Sequence, residues 1–173
     1  MRVRLDEKYK GKNELGVILE TDKGRQFEFR LRKHQVKQDP LDIVEVEIAD
    51  DGTKTRQHKS WYEVLTEQER LAVFNMIMAH YRLRSEGDEG YLGAAIGVFE
   101  VAEGRHKIPE HRIFIGVNTK RQHQYFKDCA ELNMSNAATD ALNNEAKEKG
   151  WPIPNKRAPV EVHVMGGKEP EKE

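Results

Sequence analysis

The chain has almost none of the cysteine that a disulfide framework would need. A single cysteine in 173 residues excludes an internal disulfide, and excludes a metal site built from several cysteines of this one chain. No apolar run approaches the roughly 18 residues that cross a bilayer. The opening Met1, Arg2, Val3, Arg4 and Leu5 lack the apolar stretch of a secretory leader. Charge of one sign is not in excess either. Lys+Arg number 29 against 30 Asp+Glu, a net charge of -1, which argues against wholesale neutralisation of a phosphate backbone. A glycine-rich phosphate loop and a serine-hydrolase elbow are both missing. No short period repeats, which argues against a solenoid. A soluble, cytoplasmic protein without a membrane partner is expected, and its 37% of hydrophobic residues suffice for one core.

What is present falls into two stretches. Residues 15–19 and 26–31 read as strands around Thr21, Asp22, Lys23 and Gly24, a composition suited to a tight hairpin turn. Ile43, Val44, Val46 and Ile48 form a third β-rich run, ended by Asp50, Asp51 and Gly52. A small antiparallel unit of about three strands is expected over residues 1–60, with the charged stretch 53–60 as its linker. A helix follows: Thr66 is a good N-cap and Glu69, three residues on, completes a capping box. Leu71, Phe74, Ile77, Met78 and Tyr81 recur at spacings of three and four, the stripe of a core-facing helix. Strands are expected over 92–101 and 112–117, with a turn at Glu103 and Gly104. A second helix runs from Asp128 to Lys149 and is stopped by Gly150 and Pro152. Residues 160–165 make a last strand, and from Gly166 onward nothing apolar is offered for burial.

Within that order three segments stand out: Leu92-Gly93-Ala94-Ala95, Gly116-Val117-Asn118 and Cys129-Ala130-Glu131. In this sequence of elements the chain resembles the cytidine deaminase-like superfamily. Its members carry a strand opening with a Val-Gly-Ala-Ala-like segment, then Gly-x-Asn, then Cys-Ala-Glu opening a helix. The likeness spans about residues 66–165. It implies a three-layer α/β domain with a mixed sheet over 61–165, preceded by the β-rich unit at 1–60 and followed by a disordered tail at 166–173. It implies hydrolytic deamination of a nucleoside or nucleobase, or recognition of such a ligand by a domain that has lost the chemistry. In the family the cysteine binds Zn²⁺, whose bound water becomes hydroxide near neutral pH. By resemblance Cys129 is the metal ligand, Glu131 the proton shuttle, and Asn118 the contact to the sugar. A thiol at a helix N-terminus suits that role, because the helix dipole favours thiolate.

Two departures limit the likeness. The family's Gly-x-Asn-x-Glu has Lys120 in place of the Glu. The Pro-Cys-x-x-Cys segment that supplies the remaining zinc ligands is absent, so zinc is expected for the family and doubtful for this chain. The metal half lies on another polypeptide, has been lost, or is completed by other ligands, among which His163 is the histidine of the last strand. Other roles compete. Asp128 followed by Glu131 has the spacing of a capping box, a lone cysteine is most often a small buried hydrophobe, and Asn118 after a strand suits a turn. A thiol hydrolase is a rival, with Cys129 as nucleophile and His123 or His163 as base. So is an interaction module working through the N-terminal sheet, and a second copy of the chain is an expected partner. Residues 120–127 interleave Lys120, Arg121 and Lys127 with Tyr125 and Phe126. That mixture stacks bases and contacts phosphates in nucleic-acid binders, although a solvated loop is its commoner use.

Overall fold

The structure, a computed structural model, describes residues 1–9, 14–32, 41–58, 60–83, 91–101, 110–119 and 129–166. The described residues are of mixed α/β character, with two antiparallel sheets and two α-helices. The chain divides into two compact units, one of Met1–Gln35 and Leu41–Ile77, the other of Val36–Pro40 and Met78–Glu173.

The first unit holds strands β1 (Arg2–Leu5), β2 (Glu14–Glu20), β3 (Gln26–Arg32), β4 (Asp42–Ile48) and β5 (Lys54–Gln57) in that spatial order, each antiparallel to the next. The hairpin between β2 and β3 turns where expected, with the Gly24 N–H bonded to the Thr21 carbonyl at 3.0 Å. The expected three strands are five, and the stretch read as a linker contains β5. Both additional strands lie at the edges of the sheet and carry polar side chains such as Arg2, Arg4, Lys54 and Arg56, so no apolar alternation announces them.

Leu15, Val17, Leu19, Phe27, Phe29, Leu31 and Ile43 bury one face of this sheet. The other face buries Ile18, Val44 and Val46 around Glu28, which accepts hydrogen bonds from Arg56 at 3.1 and 3.3 Å. Glu45, also buried, takes a two-bond contact from Arg25 at 2.7 and 2.8 Å.

Helix α1 (Glu67–Leu83) opens with the expected reciprocal cap. The Glu69 N–H donates to Thr66 Oγ1 at 3.2 Å and the Thr66 N–H donates to Glu69 Oε1 at 2.9 Å. Phe74, Ile77 and Met78 of the expected stripe are buried together with Val73, whereas Leu71 is exposed. Tyr81 lies outside the described side chains. Arg70 is buried, donates to the Tyr62 and Leu65 carbonyls, and stands 4.3 Å over the Tyr62 ring.

The second unit holds β6 (Tyr91–Val101), β7 (Glu110–Thr119), helix α2 (Ala130–Lys149) and β8 (Glu161–Gly166). The sheet order is β7-β6-β8, and both pairings are antiparallel. The expected mixed sheet is therefore not what the described strands form. Residues 102–109 are fewer than a parallel crossover needs, which makes β6 and β7 antiparallel neighbours. The strands joined through α2, β7 and β8, do run the same way, but β6 lies between them. Gly166, expected in the tail, closes β8 opposite Gly93. The rest of that tail, the turn at Glu103 and Gly104, Asp128, His123 and the stretch 120–127 lie outside the described residues.

Helix α2 packs on β6 and β7. Its Ala130, Met134, Ala138 and Leu142 join Ala95, Phe99, Val101 and Phe114 in one core, with Trp151 against it. The opposite face of the strands buries Ala94, Ile96, Val98, Ile113, Ile115 and Val117. The helix ends at Gly150, whose φ of 68° is left-handed and suits a residue without Cβ.

Candidate functional site

Two glycines let α2 come down onto the sheet. A Cβ on Gly116 of β7 would overlap the backbone of Met134 and the Ala130 carbonyl, so the first turn of the helix lies directly on that position. A Cβ on Gly97 of β6 would overlap the end of the Met134 side chain. Beside this contact the Asn133 side chain donates to the Val117 carbonyl at 2.8 Å, tying the first turn of α2 to the end of β7. Asn118 follows. It lies within β7, pairs with Gly93 of β6 and is 7% exposed, so it is a buried strand residue and not the turn residue of the alternative reading. By strand alternation Asn118 shares the α2 side of the sheet with Gly116 and Phe114.

Cys129 is the N-cap of α2. Its backbone is extended, its Sγ accepts from the Leu132 N–H at 3.4 Å, and its carbonyl accepts from the Asn133 N–H at 3.1 Å. The thiol is free and exposed, not a buried hydrophobe. The preferred caps are oxygen-bearing Ser, Thr, Asp and Asn, because sulfur is a weak acceptor. A thiol at this position is thus a poor cap in a place where a good one is easily had. With Cys129 as N-cap, the third helical residue is Leu132 and Glu131 is the second. Glu131 is therefore one position short of the partner in a capping box, and its exposed carboxylate extends from the first turn, where the helix dipole favours a negative charge.

The structure brings Cys129, Glu131 and Asn118 to one end of the second unit, through the docking of α2 on Gly116. His163 is not among them. It pairs with Ile96, on the face of the sheet opposite to the Ala95, Phe99 and Phe114 core of α2, and its Nε2 lies 3.3 Å from Glu161. It can be neither the base for Cys129 nor a ligand beside it. Among the described residues no group of three His, Cys, Asp or Glu side chains could hold a metal ion. Cys129 alone gives one of the ligands that a zinc site requires.

Asn133 escaped the sequence reading. Its signal was a poor helix former placed in the first turn, where side-chain amides commonly bond to backbone. A separate open cleft in the first unit is lined by Met1, Asp22, Lys23, Arg25, Thr66 and Glu69. Several of its charges are matched internally: the Met1 amino group with Asp22, Arg25 with Glu45, and Glu69 with the Thr66 backbone. No described helix is long and apolar enough to cross a membrane. Comparison of the chain with protein-family models, curated proteins and solved structures finds no match.

Proposed function

We propose that the second unit is a cytidine deaminase-like domain that recognises a nucleoside or nucleobase-type ligand where the end of β7 meets the N-terminus of α2. The observation that carries this reading is the cap of α2. A cysteine stands where an oxygen-bearing residue would cap better, two residues before a carboxylate that has no capping duty, at a helix end seated beside a buried Asn118. Local rules broken in this way mark places where something other than stability is served. The order of strand, strand, helix and strand within this unit supports the same reading, as does burial of both faces of β6 and β7, which a three-layer domain needs.

The chemistry of recognition follows from the side chains. Asn118 offers both a donor and an acceptor to the hydroxyls of a sugar. The Glu131 carboxylate accepts a hydrogen bond from an exocyclic amino group, the pairing by which carboxylates select cytosine. Cys129 would be the protein's ligand to zinc in an assembly that supplies the others. In such an assembly Glu131 would carry the proton, as the resemblance implies.

Titration of the ¹⁵N-labelled chain with cytidine, adenosine and free cytosine tests the reading. Amide shifts confined to residues near Asn118 and 129–133 are expected for one of them at up to about millimolar concentration. If none moves those amides, the assignment of this end as a ligand site fails. Glu131→Gln separates binding from chemistry. It preserves shape, and any deamination in a complete assembly is expected to fall by about 10²- to 10⁴-fold while folding is unchanged.

A further inference from the structure

The outer strand of the second sheet carries a second surface, independent of the proposed ligand site. β8 pairs with β6 on one side, and no described strand pairs with its other side. Its valines face the α2 side, since Val162 lies opposite Gly97 and Val164 opposite Ala95. Helix α2 packs mainly on β6 and β7. Val160, Val162 and Val164 are left 46%, 39% and 54% exposed. Edge strands of soluble proteins are commonly blunted by lysine, proline or a bulge, because unpaired backbone groups recruit another strand. Residues 161–166 contain no lysine or proline.

The order of residues selects the partner. Read forwards, 160–164 is Val-Glu-Val-His-Val, and read backwards it is Val-His-Val-Glu-Val. An antiparallel copy about a twofold axis at Val162 sets Val162 opposite the partner's Val162 and Val160 opposite the partner's Val164. On the other face it sets Glu161 opposite the partner's His163. Cross-strand pairs of branched apolar residues and of carboxylate with imidazole are both stabilising, and imidazole donates an N–H to carboxylate whether neutral or charged. Glu161 and His163 already stand on that face within each chain, 3.3 Å apart. The two contacts of such an interface are identical, as twofold symmetry requires.

We propose that the chain self-associates through β8, two copies joining their second sheets into one continuous antiparallel sheet. So short an edge buries less than the roughly 1,200 Å² of a standard interface. The dimer is accordingly a concentration-dependent one.

Sedimentation velocity on the full chain, from about 1 to about 200 µM, reads this directly. The mass is expected to rise from 20.0 kDa towards twice that value. Val162→Lys and Val162→Glu each place two like charges across the axis, and each is expected to stay monomeric at the highest concentration. An equimolar mixture of the two is expected to re-form the dimer, because lysine then faces glutamate. Val162 is partly exposed, and circular dichroism checks that both variants are folded. If either is not, the double variants Val160→Lys/Val164→Lys and Val160→Glu/Val164→Glu serve in the same way, since each sets residue 160 opposite a like charge at the partner's 164. A parental chain that is monomeric throughout, whether free or engaged by some other protein, overturns the proposal. So does a dimer that survives both substitutions, or folded variants whose mixture does not associate.

Discussion

The side-chain amide of Asn133 donates to the Val117 carbonyl at 2.8 Å, and this bond joins the first turn of one element to the end of another that the chain reaches only through residues 120–128. It holds the N-terminus of α2 beside Asn118. Asn133→Ala is expected to lower stability by about 1 kcal/mol. Asn133→Asp should cost more, because it sets a carboxylate against a carbonyl. Hydrogen exchange should show the loss first at the amides of the opening turn of α2. Equal urea midpoints for the parent and both variants would show that the bond does not hold the helix.

The seating of α2 on Gly116 predicts an ordering of two glycine substitutions. Gly116→Ala meets helix backbone, which cannot step aside, and should cost about 1–3 kcal/mol or more. Gly97→Ala meets side chains alone, the end of Met134 and the Phe99 ring, rather than helix backbone, so its cost should be the smaller. Thermal melts of the two variants decide it, and the reverse order would mean that α2 does not lie where it is described.

The sulfur cap predicts opposite signs for stability and function. Cys129→Ser supplies a better acceptor to the Leu132 N–H and should raise stability by about 0.5–1 kcal/mol, as optimised caps commonly do. Metal loading of Cys129 in a complete assembly should be lost in the same variant. A serine variant less stable than the parent would remove the argument that a better cap has been forgone.

Acid should destabilise both units. Burial raises the Glu28 carboxyl, but the Arg56 hydrogen bond and the charges of Arg56, Arg30 and Lys8 outweigh it and hold the group below its ordinary 4.5. Glu145 of α2 behaves alike: burial raises it, while Lys149 and Arg112 bring it below 4.5. A carboxyl depressed in the folded state contributes stability that is fully present above its ordinary value and is lost as pH falls through the folded one. Urea midpoints should therefore hold down to about pH 5 and decline below it. Glu28→Gln should flatten part of that decline, and an unchanged acid profile in this variant would show that the pair contributes nothing.

The parts legible in the sequence are those settled by neighbours along the chain. Thr66 with Glu69, the turn at Thr21 to Gly24 and the stop at Gly150 each depend on residues a few positions apart, and each stands where local chemistry places it. β1 and β5 were not legible, because an exposed edge strand such as Lys54–Gln57 needs no apolar pattern. Leu71 shared the spacing of the buried stripe yet faces solvent, since periodicity alone does not say where a stripe ends. At the candidate site, Cys129 and Glu131 at a helix start were legible. The one-position difference that removes Glu131 from a capping box was not, because by pattern Asp128 is a better N-cap than Cys129. The face on which His163 lies depends on how β8 is aligned against β6, a long-range fact no local spacing encodes.

The sheet of the first unit buries apolar side chains on both of its faces: Phe27, Phe29 and Ile43 on one, Ile18, Val44 and Val46 on the other. In a sheet with one wet face, a slip of one residue between strands is forbidden because it exposes the whole apolar set. Here such a slip of β4 against β3 would exchange one buried aliphatic row for another, and oil alone would scarcely tell the two registers apart. The charges do tell them apart. The slip would turn Glu45 away from Arg25 and leave both without the two-bond contact they now make. Losing the partner of a buried charge is far dearer than exchanging valine for isoleucine. The buried ion pairs of this unit thus act as an alignment key, choosing among pairings that hydrophobic burial would accept almost equally.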